Sequence, residues 1–194
     1  AIGVAHSDLE VRGGLKNIGI AEFSDMSAVT FDGDSDLTDH LISAMTVTGM
    51  KLFELKQGTG SLNTAGSKDG GTILFEHTVS FYVPNCSNSH LAALHSLMNK
   101  NLVVIVQSFA GEKFVVGASN EYSLSDDVAN VQMYARMTSI EGGTGAALGD
   151  ENGVTVTIAA QSGELPRLFT GTFTPDPSVG TVGRCDTRTT QIRL

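Results

Sequence analysis

The sequence predicts a mainly β fold, either a β-sandwich or a partly closed β-barrel, with one packed α-helix and extended arms at both ends. Its 194 residues include 22 glycines and only four prolines, and glycine with many Thr, Val and Ser residues is typical of β-rich proteins with generous turns. Several segments alternate apolar and polar residues with the period of two that strands have, and one segment has clear helical spacing.

We divide the chain into an N-terminal arm (residues 1–16), one β-rich core domain (17–174) and a C-terminal arm (175–194). The first arm has three glycines and scattered apolar residues, and the second has two prolines and several small residues. Neither arm has the apolar periodicity of an element that joins a core. No internal repeat or linker divides the core, and its length suits a single domain.

Four elements are predicted before the long glycine-rich segment. Asn17–Phe23 and Ala28–Asp32 are strands, the second shorter than the first. Asp36 is placed to N-cap a short helix running from Leu37 to Ala44, because a carboxylate satisfies the free N–H groups of a first helical turn. Thr46–Lys56 is predicted to be a further strand.

Residues 57–71 are predicted to form a long exposed loop. The stretch contains five glycines and a single large apolar residue, Leu62, so it has little surface to bury. Loops longer than about 12–15 residues without secondary structure are uncommon in compact domains and are usually functional or mobile. We therefore expect this segment to have a functional role.

Thr72–Val83 is the clearest predicted strand. One face carries Ile73, Phe75, His77, Val79, Phe81 and Val83, and the other carries Thr72, Leu74, Glu76, Thr78, Ser80 and Tyr82. A period of two places the first, mostly apolar set on a core. His77 is therefore expected to be a satisfied core or interface histidine. Pro84 ends the strand, because proline cannot donate to a ladder.

A helix is predicted at about residues 89–99. Leu91, Leu94 and either Leu97 or Met98 recur at a spacing of three to four residues, which gives one apolar stripe. The helix lies between two predicted strands, and we expect it to cover one open edge or end of the β-structure.

The second half of the chain is predicted to consist of strands. Leu102–Phe109 is apolar on both faces over its first five residues, which predicts a central strand, and it forms a hairpin with Lys113–Ala118. Asn130–Glu141, Val154–Gln161 and Leu168–Thr174 complete the set.

The composition disfavours several classes of function. The chain carries 12 basic and 21 acidic residues, a net charge of −9, whereas gripping DNA or an anionic membrane needs clustered Lys and Arg. No apolar run reaches the roughly 18–20 residues of a membrane-spanning helix. The N-terminus lacks the regions of a signal peptide, so we expect cytoplasmic synthesis and no membrane partner. Cys86 and Cys185 lie far apart in sequence and are expected to be reduced thiols.

No constellation of catalytic or metal-binding residues is found, so we predict that the protein is not an enzyme and needs no cofactor or metal. The acidic run at 32–39 resembles the start of a calcium loop, but Leu37 and Ser43 occupy the positions that require Gly and Glu. His90 and His95 are five residues apart, so they do not share a helix face. Phosphate-loop and nucleophile-elbow motifs are also missing from the sequence.

The C-terminal arm differs in charge from the rest of the chain. Residues before 175 carry 9 basic and 19 acidic side chains (9 − 19 = −10), whereas Arg184, Arg188 and Arg193 outnumber two aspartates in the arm (3 − 2 = +1). One interpretation of this positive charge is that the arm is a solvated basic tail. Because arginine is a preferred partner of carboxylates, the sharper one is docking on an acidic neighbouring subunit, in a head-to-tail assembly that closes into a ring or continues as a filament.

The order of elements resembles that of the tail tube proteins of tailed bacteriophages and the related tube proteins of contractile injection machines. The resemblance is carried by the segment 57–71, the strand Thr72–Val83, the helix at 89–99 and the hairpin of Leu102–Phe109 and Lys113–Ala118. It implies hexameric rings that stack into a hollow tube, with one long loop and the terminal arms joining successive rings. The partners implied are further copies of this chain, other phage tail proteins, and DNA that passes through without tight binding.

The resemblance also implies a location in the virion, after synthesis in the cytoplasm of a bacterial host. The acidic balance then gains a role, because like-charge repulsion keeps DNA centred and mobile in a lumen. The residues predicted to line this lumen are Glu54, Glu76, Asp126, Asp127 and Glu141. The residues predicted to join subunits are Lys68 and Asp69 of the long loop and the three arginines of the C-terminal arm.

Two other functions are alternatives. One is another phage structural protein, such as a head decoration protein, a head fibre base or a tail terminator, which stays as a single ring. The other is a β-sandwich module that binds a ligand such as a carbohydrate. Such modules usually offer an aromatic platform, whereas this chain lacks Trp and its three tyrosines, Tyr82, Tyr122 and Tyr134, lie far apart in sequence.

Overall fold

The computed structural model describes residues 13–32, 40–69, 71–84, 88–121, 129, 132–144 and 152–171. In these ranges the strands are β1 (Leu15–Glu22), β2 (Met26–Asp32), β3 (Leu41–Val47), β4 (Lys51–Glu54), β5 (Ser61–Asp69), β6 (Thr72–Pro84), β7 (Leu102–Ser108), β8 (Lys113–Val116), β9 (Arg136–Gly143), β10 (Gly153–Ser162) and β11 (Arg167–Phe169). The helix α1 (Asn88–Leu97) lies between β6 and β7, and a single 3-10 turn (Phe23–Asp25) joins β1 to β2.

The strands form two sheets. The larger has seven strands in the order β2-β3-β11-β8-β7-β1-β4, and the smaller has four in the order β5-β6-β10-β9. All pairings are antiparallel except that of β11 with β3. The sheets do not close into a barrel, so the mainly β prediction is confirmed as a sandwich with one helix.

The main core lies between the two sheets and α1. It combines buried residues of the large sheet, such as Ile18 and Phe53, with buried residues of the small sheet, such as Phe81 and Val156. The rings of Phe53 and Phe81 meet with centroids 5.8 Å apart, which joins the sheets directly. Leu94 of the helix packs on the same cluster. Burying apolar surface from three elements in one layer is what stabilises a sandwich.

The strand β7 is buried on both faces, as its uninterrupted apolar run predicts. Leu102, Val104 and Val106 face the core between the sheets. Val103 and Ile105 face a second cluster, built with residues of β2, β3 and β11 on the opposite side of the large sheet. Its neighbours β8 and β1 pair with it on both edges, so β7 is an interior strand of the large sheet.

The helix agrees closely with its predicted range. Ala93, Leu94 and Leu97 are buried, whereas Leu91 and Met98 are exposed, so Leu97 rather than Met98 continues the stripe. The chain leaves the helix through Asn99, which adopts a positive φ of 60°. Asparagine tolerates this left-handed conformation at a helix end.

The prediction of a helix after Asp36 is wrong where the structure describes it, because residues 41–47 form β3. Ile42 is fully buried in the second cluster, and β3 pairs with β2 along its length. Tertiary pairing therefore overrides the local helix signal. The single strand predicted over Thr46–Lys56 is also wrong, because a turn at Gly49, whose φ is 68°, separates β3 from β4.

The predicted long loop 57–71 is largely a strand. Residues 61–69 form β5, which pairs with β6 from Ser61 opposite Ser80 to Asp69 opposite Thr72. A ladder satisfies the backbone of a polar segment without burying its side chains, so low hydrophobicity did not exclude a strand here. Gly66 lies under the ring of Phe75, where a Cβ would approach the ring to 2.7 Å.

The remaining boundaries lie within a few residues of expectation. The core begins at Leu15 rather than Asn17, and β11 ends at Phe169 rather than Thr174. The strand predicted from Asn130 begins at Arg136 and extends to Gly143. Both terminal arms lie outside the described residues, apart from the few that open β1.

Candidate functional site

The hairpin of β5 and β6 is half inside the sandwich and half outside it. Val79 and Phe81 in the second half of β6 are fully buried, whereas Ile73 and Leu74 near its start are 48% and 42% exposed. The β5 residues opposite that start, including Lys68, are exposed as well. The hairpin therefore projects from the body and presents two large apolar side chains to solvent.

Lys68 and Asp69, the predicted inter-subunit residues of this segment, lie at the projecting end. Lys68 pairs with Ile73 and Asp69 with Thr72 in the ladder. Both therefore sit on a hairpin whose backbone is fixed by pairing, and not on a loop as predicted. The arm residues predicted to act with them, Arg184, Arg188 and Arg193, lie outside the described part of the chain.

The solvent face of the small sheet is rich in hydroxyl groups. In the register, Ser61 lies opposite Ser80, Ser80 opposite Thr157, and Thr157 opposite Ser139. Neighbours across a ladder share a face, so these four side chains form a row that crosses all four strands. We call it the hydroxyl row.

Two of the predicted lumen residues lie on this same face. Glu76 is opposite Gln161 and Glu141 is opposite Thr155, and both partners belong to the outward set of β10. The partners Gln161 and Thr155 are six residues apart on β10, which places the two glutamates roughly 20 Å apart along the strand direction. Both are exposed, on either side of the hydroxyl row.

Glu54 does not join them, and the last two predicted lumen residues are not described. Glu54 lies on β4, an edge strand of the seven-stranded sheet, opposite Asn17. Asp126 and Asp127 lie outside the described residues. The structure thus brings together two of the five residues, and sequence reasoning could not separate them because sheet membership depends on long-range pairing.

Arg136 is a functional candidate that the sequence reasoning missed. It is opposite Ala159 on the same outward face, and its guanidinium stacks 4.7 Å from the ring centre of Tyr134 and donates to the Tyr134 hydroxyl at 2.7 Å. Among the side chains of this face that the structure describes, Glu76, Glu141 and Arg136 carry charge, a sum of −1 (1 − 2). The described part of this face is thus nearly neutral and faintly acidic.

A hollow on this face lies between Glu76 and Arg136. It has a volume of about 310 Å³ and is lined by Glu76, Gln132, Tyr134, Arg136, Thr138, Ala159, Ala160 and Gln161. The small side chain of Ala159 on the central strand, flanked by longer neighbours, leaves the space. Glu76 and Arg136 lie two strands apart, and their partners on β10 are two residues apart. Roughly 12 Å therefore separates their backbones, and the two side chains do not pair with each other.

His77 is buried as predicted, with 2% of its surface exposed. Its Nε2 lies 2.8 Å from Ser162 Oγ and 3.0 Å from the Glu164 carbonyl oxygen, and its Nδ1 lies 3.1 Å from Thr64 Oγ1. A carbonyl only accepts, so Nε2 carries the proton and Nδ1 accepts from the Thr64 hydroxyl. Burial lowers the pKa of His77, and the Glu164 carbonyl and carboxylate partly oppose this. The ring is therefore neutral.

This arrangement does not activate a nucleophile. Ser162 donates its own hydroxyl proton to the Glu164 carbonyl at 2.6 Å, so His77 Nε2–H donates to Ser162 instead of receiving its proton. The cluster of His77, Thr64, Ser162 and the Glu164 carbonyl, which we call the His77 cluster, is a set of satisfied internal hydrogen bonds.

Both edges of the small sheet are open in the part of the chain that the structure describes. β5, with nine residues, forms one edge and β9, with eight, forms the other, and neither has a second strand partner in the described chain. An open edge presents a row of backbone N–H and C=O groups that can pair with another chain. The edges thus provide two matched surfaces for association.

The described residues contain no three His, Cys, Asp or Glu side chains placed to hold a metal ion. No helix among them is long and apolar enough to cross a membrane. Cys86, Cys185 and the acidic run 32–39 apart from Asp32 lie outside the described ranges. No protein-family model matches the chain, and no curated protein and no solved structure is significantly similar to it.

Proposed function

We propose that the protein is a structural virion protein of the tail tube type, a subunit of stacked rings around a channel that conducts DNA. The observation that carries the proposal is the small sheet, which has two edges without a strand partner among the described residues and a hydroxyl-rich solvent face. The resemblance in element order supports the same function, because strand, helix and hairpin follow one another at 72–84, 88–97 and 102–116.

The open edges give a route to rings. When β5 of one copy pairs with β9 of the next, the interface is head-to-tail, and such interfaces close into rings when the rotation allows it. The two strands differ by only one residue in length, so nearly every exposed backbone group finds a partner. Pairing at both edges also removes the aggregation hazard of an open sheet.

The solvent face of the small sheet then forms the channel wall. Repetition turns the hydroxyl row of each subunit into a belt around the channel, with Glu76 and Glu141 on either side of it. Hydroxyl groups offer phosphate weak neutral hydrogen bonds, and carboxylates repel it. DNA passes such a wall without tight binding. Further copies of the chain and other tail proteins are the partners, and the virion is the location.

A proline scan of β5 tests the proposed pairing. Proline replaces the exposed residues Asn63, Ala65, Ser67 and Lys68 one at a time, and circular dichroism reports folding. N–H groups alternate in direction along a strand, so either Lys68 or the three odd-numbered positions point away from β6 and tolerate proline. We expect the tolerated variants to fold and to lose ring formation in negative-stain electron microscopy.

The positions whose N–H groups bond to β6 provide the control. Proline there interrupts the β5–β6 ladder, so these variants should lose folding itself and not only ring formation. Rings that form normally from the tolerated variants would overturn the proposed pairing. A terminator-like protein, the second phage structural candidate, would give single rings that never stack.

A ligand-binding module is the second candidate function, and the hollow between Glu76 and Arg136 favours it. Its lining mixes a carboxylate, a guanidinium, amides and hydroxyls, which together accept from and donate to a neutral polyhydroxylated ligand such as a saccharide. Calorimetric titration of a saccharide panel tests it, with Ala159→Phe filling the hollow. If the wild-type protein binds a saccharide and Ala159→Phe does not, the result would support a ligand-binding module. Equal heat changes for the wild type and the variant would reject binding in this hollow.

A further inference from the structure

The His77 cluster lies where the projecting hairpin leaves the sandwich. His77 is 2% exposed, and four residues earlier on the same face of β6, Ile73 is 48% exposed. Phe75, between them, is part-buried and stacks parallel to the His77 ring at 6.4 Å between centroids. The cluster is thus the last buried polar contact before the hairpin enters solvent.

The cluster joins the hairpin to the rest of the small sheet. Thr64 belongs to β5, His77 to β6 and Ser162 to β10, and the Glu164 carbonyl belongs to the turn that follows β10. Glu164 in turn holds Arg167 through its carboxylate, with Nη2 at 2.8 Å. One imidazole therefore links both hairpin strands to the turn that connects the small sheet to β11.

The hydrogen bonds of the cluster are arranged for a neutral imidazole. A proton added at Nδ1 would meet the hydroxyl of Thr64, which would have to turn from donor to acceptor. The hollow beside the ring is about 10 Å³, which is room for no more than a single water. Protonation of the ring therefore reverses the hydrogen bond to Thr64 and gains little solvation.

The charged groups around the ring are already engaged. Glu164 and Arg167 line the same hollow and pair with each other. His40 reaches the outer side of Glu164 at 3.9 Å and lies 2.7 Å from the Leu165 carbonyl oxygen. Glu121 lies beside Gly163 in the adjoining turn. The nearest carboxylate thus attracts a His77 proton only partly, because it is held by a guanidinium.

We propose that the His77 cluster is a proton-controlled lock, which fixes the projecting hairpin to the sandwich when the imidazole is neutral and releases it when the imidazole is protonated. The ring of Phe75 moves with the imidazole on which it stacks, so release extends outward along β6. The lowered pKa of His77 supports this, because the neutral ring then persists through neutral pH and protonation occurs only in acid. The inference does not depend on the proposed function, since it concerns the unassembled subunit.

Nuclear magnetic resonance of the unassembled protein tests the lock. Backbone order parameters of residues 62–76 and the ring shifts of His77 are followed from pH 7.5 to 4.5. We expect hairpin order to fall as the His77 ring titrates, while amides of β7 keep their order. Hairpin order that stays constant through the titration of the ring would overturn the proposal.

Two variants separate His77 from the neighbouring titrating group. His77→Gln removes the titration and keeps an N–H donor, so its hairpin order should not depend on pH in this range. His40→Gln, at an exposed site beside the same Glu164, should leave the wild-type pH response in place. If His77→Gln does not fold, the titration of His40→Gln decides alone. Loss of the pH dependence of hairpin order in His40→Gln would assign that dependence to His40 and overturn the proposal.

Discussion

Arg167 shows how single residues keep a charge inside this fold. Its side chain is 5% exposed, and its guanidinium donates to Glu164 at 2.8 and 3.0 Å and to Asn120 at 2.9 Å. It also lies 5.1 Å from the ring centre of Phe31. A buried cation is tolerated when its N–H groups are paired in this way. Apart from Glu164, its partners are distant in sequence, so the sequence alone did not predict that Arg167 is buried and paired.

Replacing Arg167 with Met should destabilise the protein strongly, because Glu164 loses its ion-pair partner in a mostly buried place. Breaking such a pair costs about 3 kcal/mol of unfolding free energy. Urea denaturation measures the change. Arg136→Met, on an exposed arginine, is the matched control and should change stability by less than about 1 kcal/mol. Equal losses in the two variants would contradict the assigned role of Arg167.

The stability of the protein should fall in acid because of His77. Its pKa is lowered in the folded state, so the unfolded chain, with a pKa of about 6.5, binds the proton more readily. The stabilisation is complete above about pH 6.5 and is lost as the pH falls toward the folded-state pKa. Denaturation midpoints between pH 8 and 5 measure it. His77→Gln should flatten this part of the profile, and an unchanged slope would contradict it.

At the scale of elements, the sequence predicted best where a segment is buried. The run at 102–106 marked a central strand, and the stripe of Leu94 and Leu97 marked the helix. β5 was missed because both of its faces meet solvent over much of its length, so no apolar alternation exists to reveal it. β3 was missed because a helical spacing of apolar residues competed with strand pairing that only the whole sheet supplies.

The hairpin depends on a close approach at Gly66, which is the residue that the ring of Phe75 covers. A side chain at Gly66 must displace this ring, since a Cβ lies only 2.7 Å from it. Gly66→Val should therefore destabilise the hairpin by about 1–3 kcal/mol, as overpacking usually does. Amide hydrogen exchange of β5 and β6 measures it. Ala65→Val, at the neighbouring exposed position, is the control and should leave exchange unchanged. Equal exchange rates in the two variants would contradict the close contact between Gly66 and the Phe75 ring.

At the scale of the whole molecule, composition and patterning were enough to predict a mainly β fold with one helix, but not to choose between a sandwich and a partly closed barrel. They were not enough to assign strands to sheets, because pairings such as β11 with β3 join residues more than 100 positions apart. For this reason Glu76 and Glu141 were grouped with Glu54, which belongs to the other sheet. The hydroxyl row was missed for the same reason.

If the proposed function holds, the charge of the solvent face of the small sheet should control DNA passage. Glu76→Lys combined with Glu141→Lys places cations on the face proposed to line the channel, and each lysine would attract phosphate. We expect tubes of normal appearance and DNA delivery slowed or blocked. Glu112→Lys, an exposed site in the β7–β8 turn of the other sheet, is the matched control and should deliver DNA normally. Normal delivery by the double variant would contradict the assignment of this face to the channel.

Electron cryomicroscopy of the purified protein, alone and with the tail-tip complex that starts tube growth, tests the central claim most directly. We expect hollow rings or tubes in which β5 of each subunit pairs with β9 of the next and the hydroxyl row faces the central hole. A protein that stays monomeric under both conditions, or an assembly whose central hole is lined by the seven-stranded sheet, would contradict the claim.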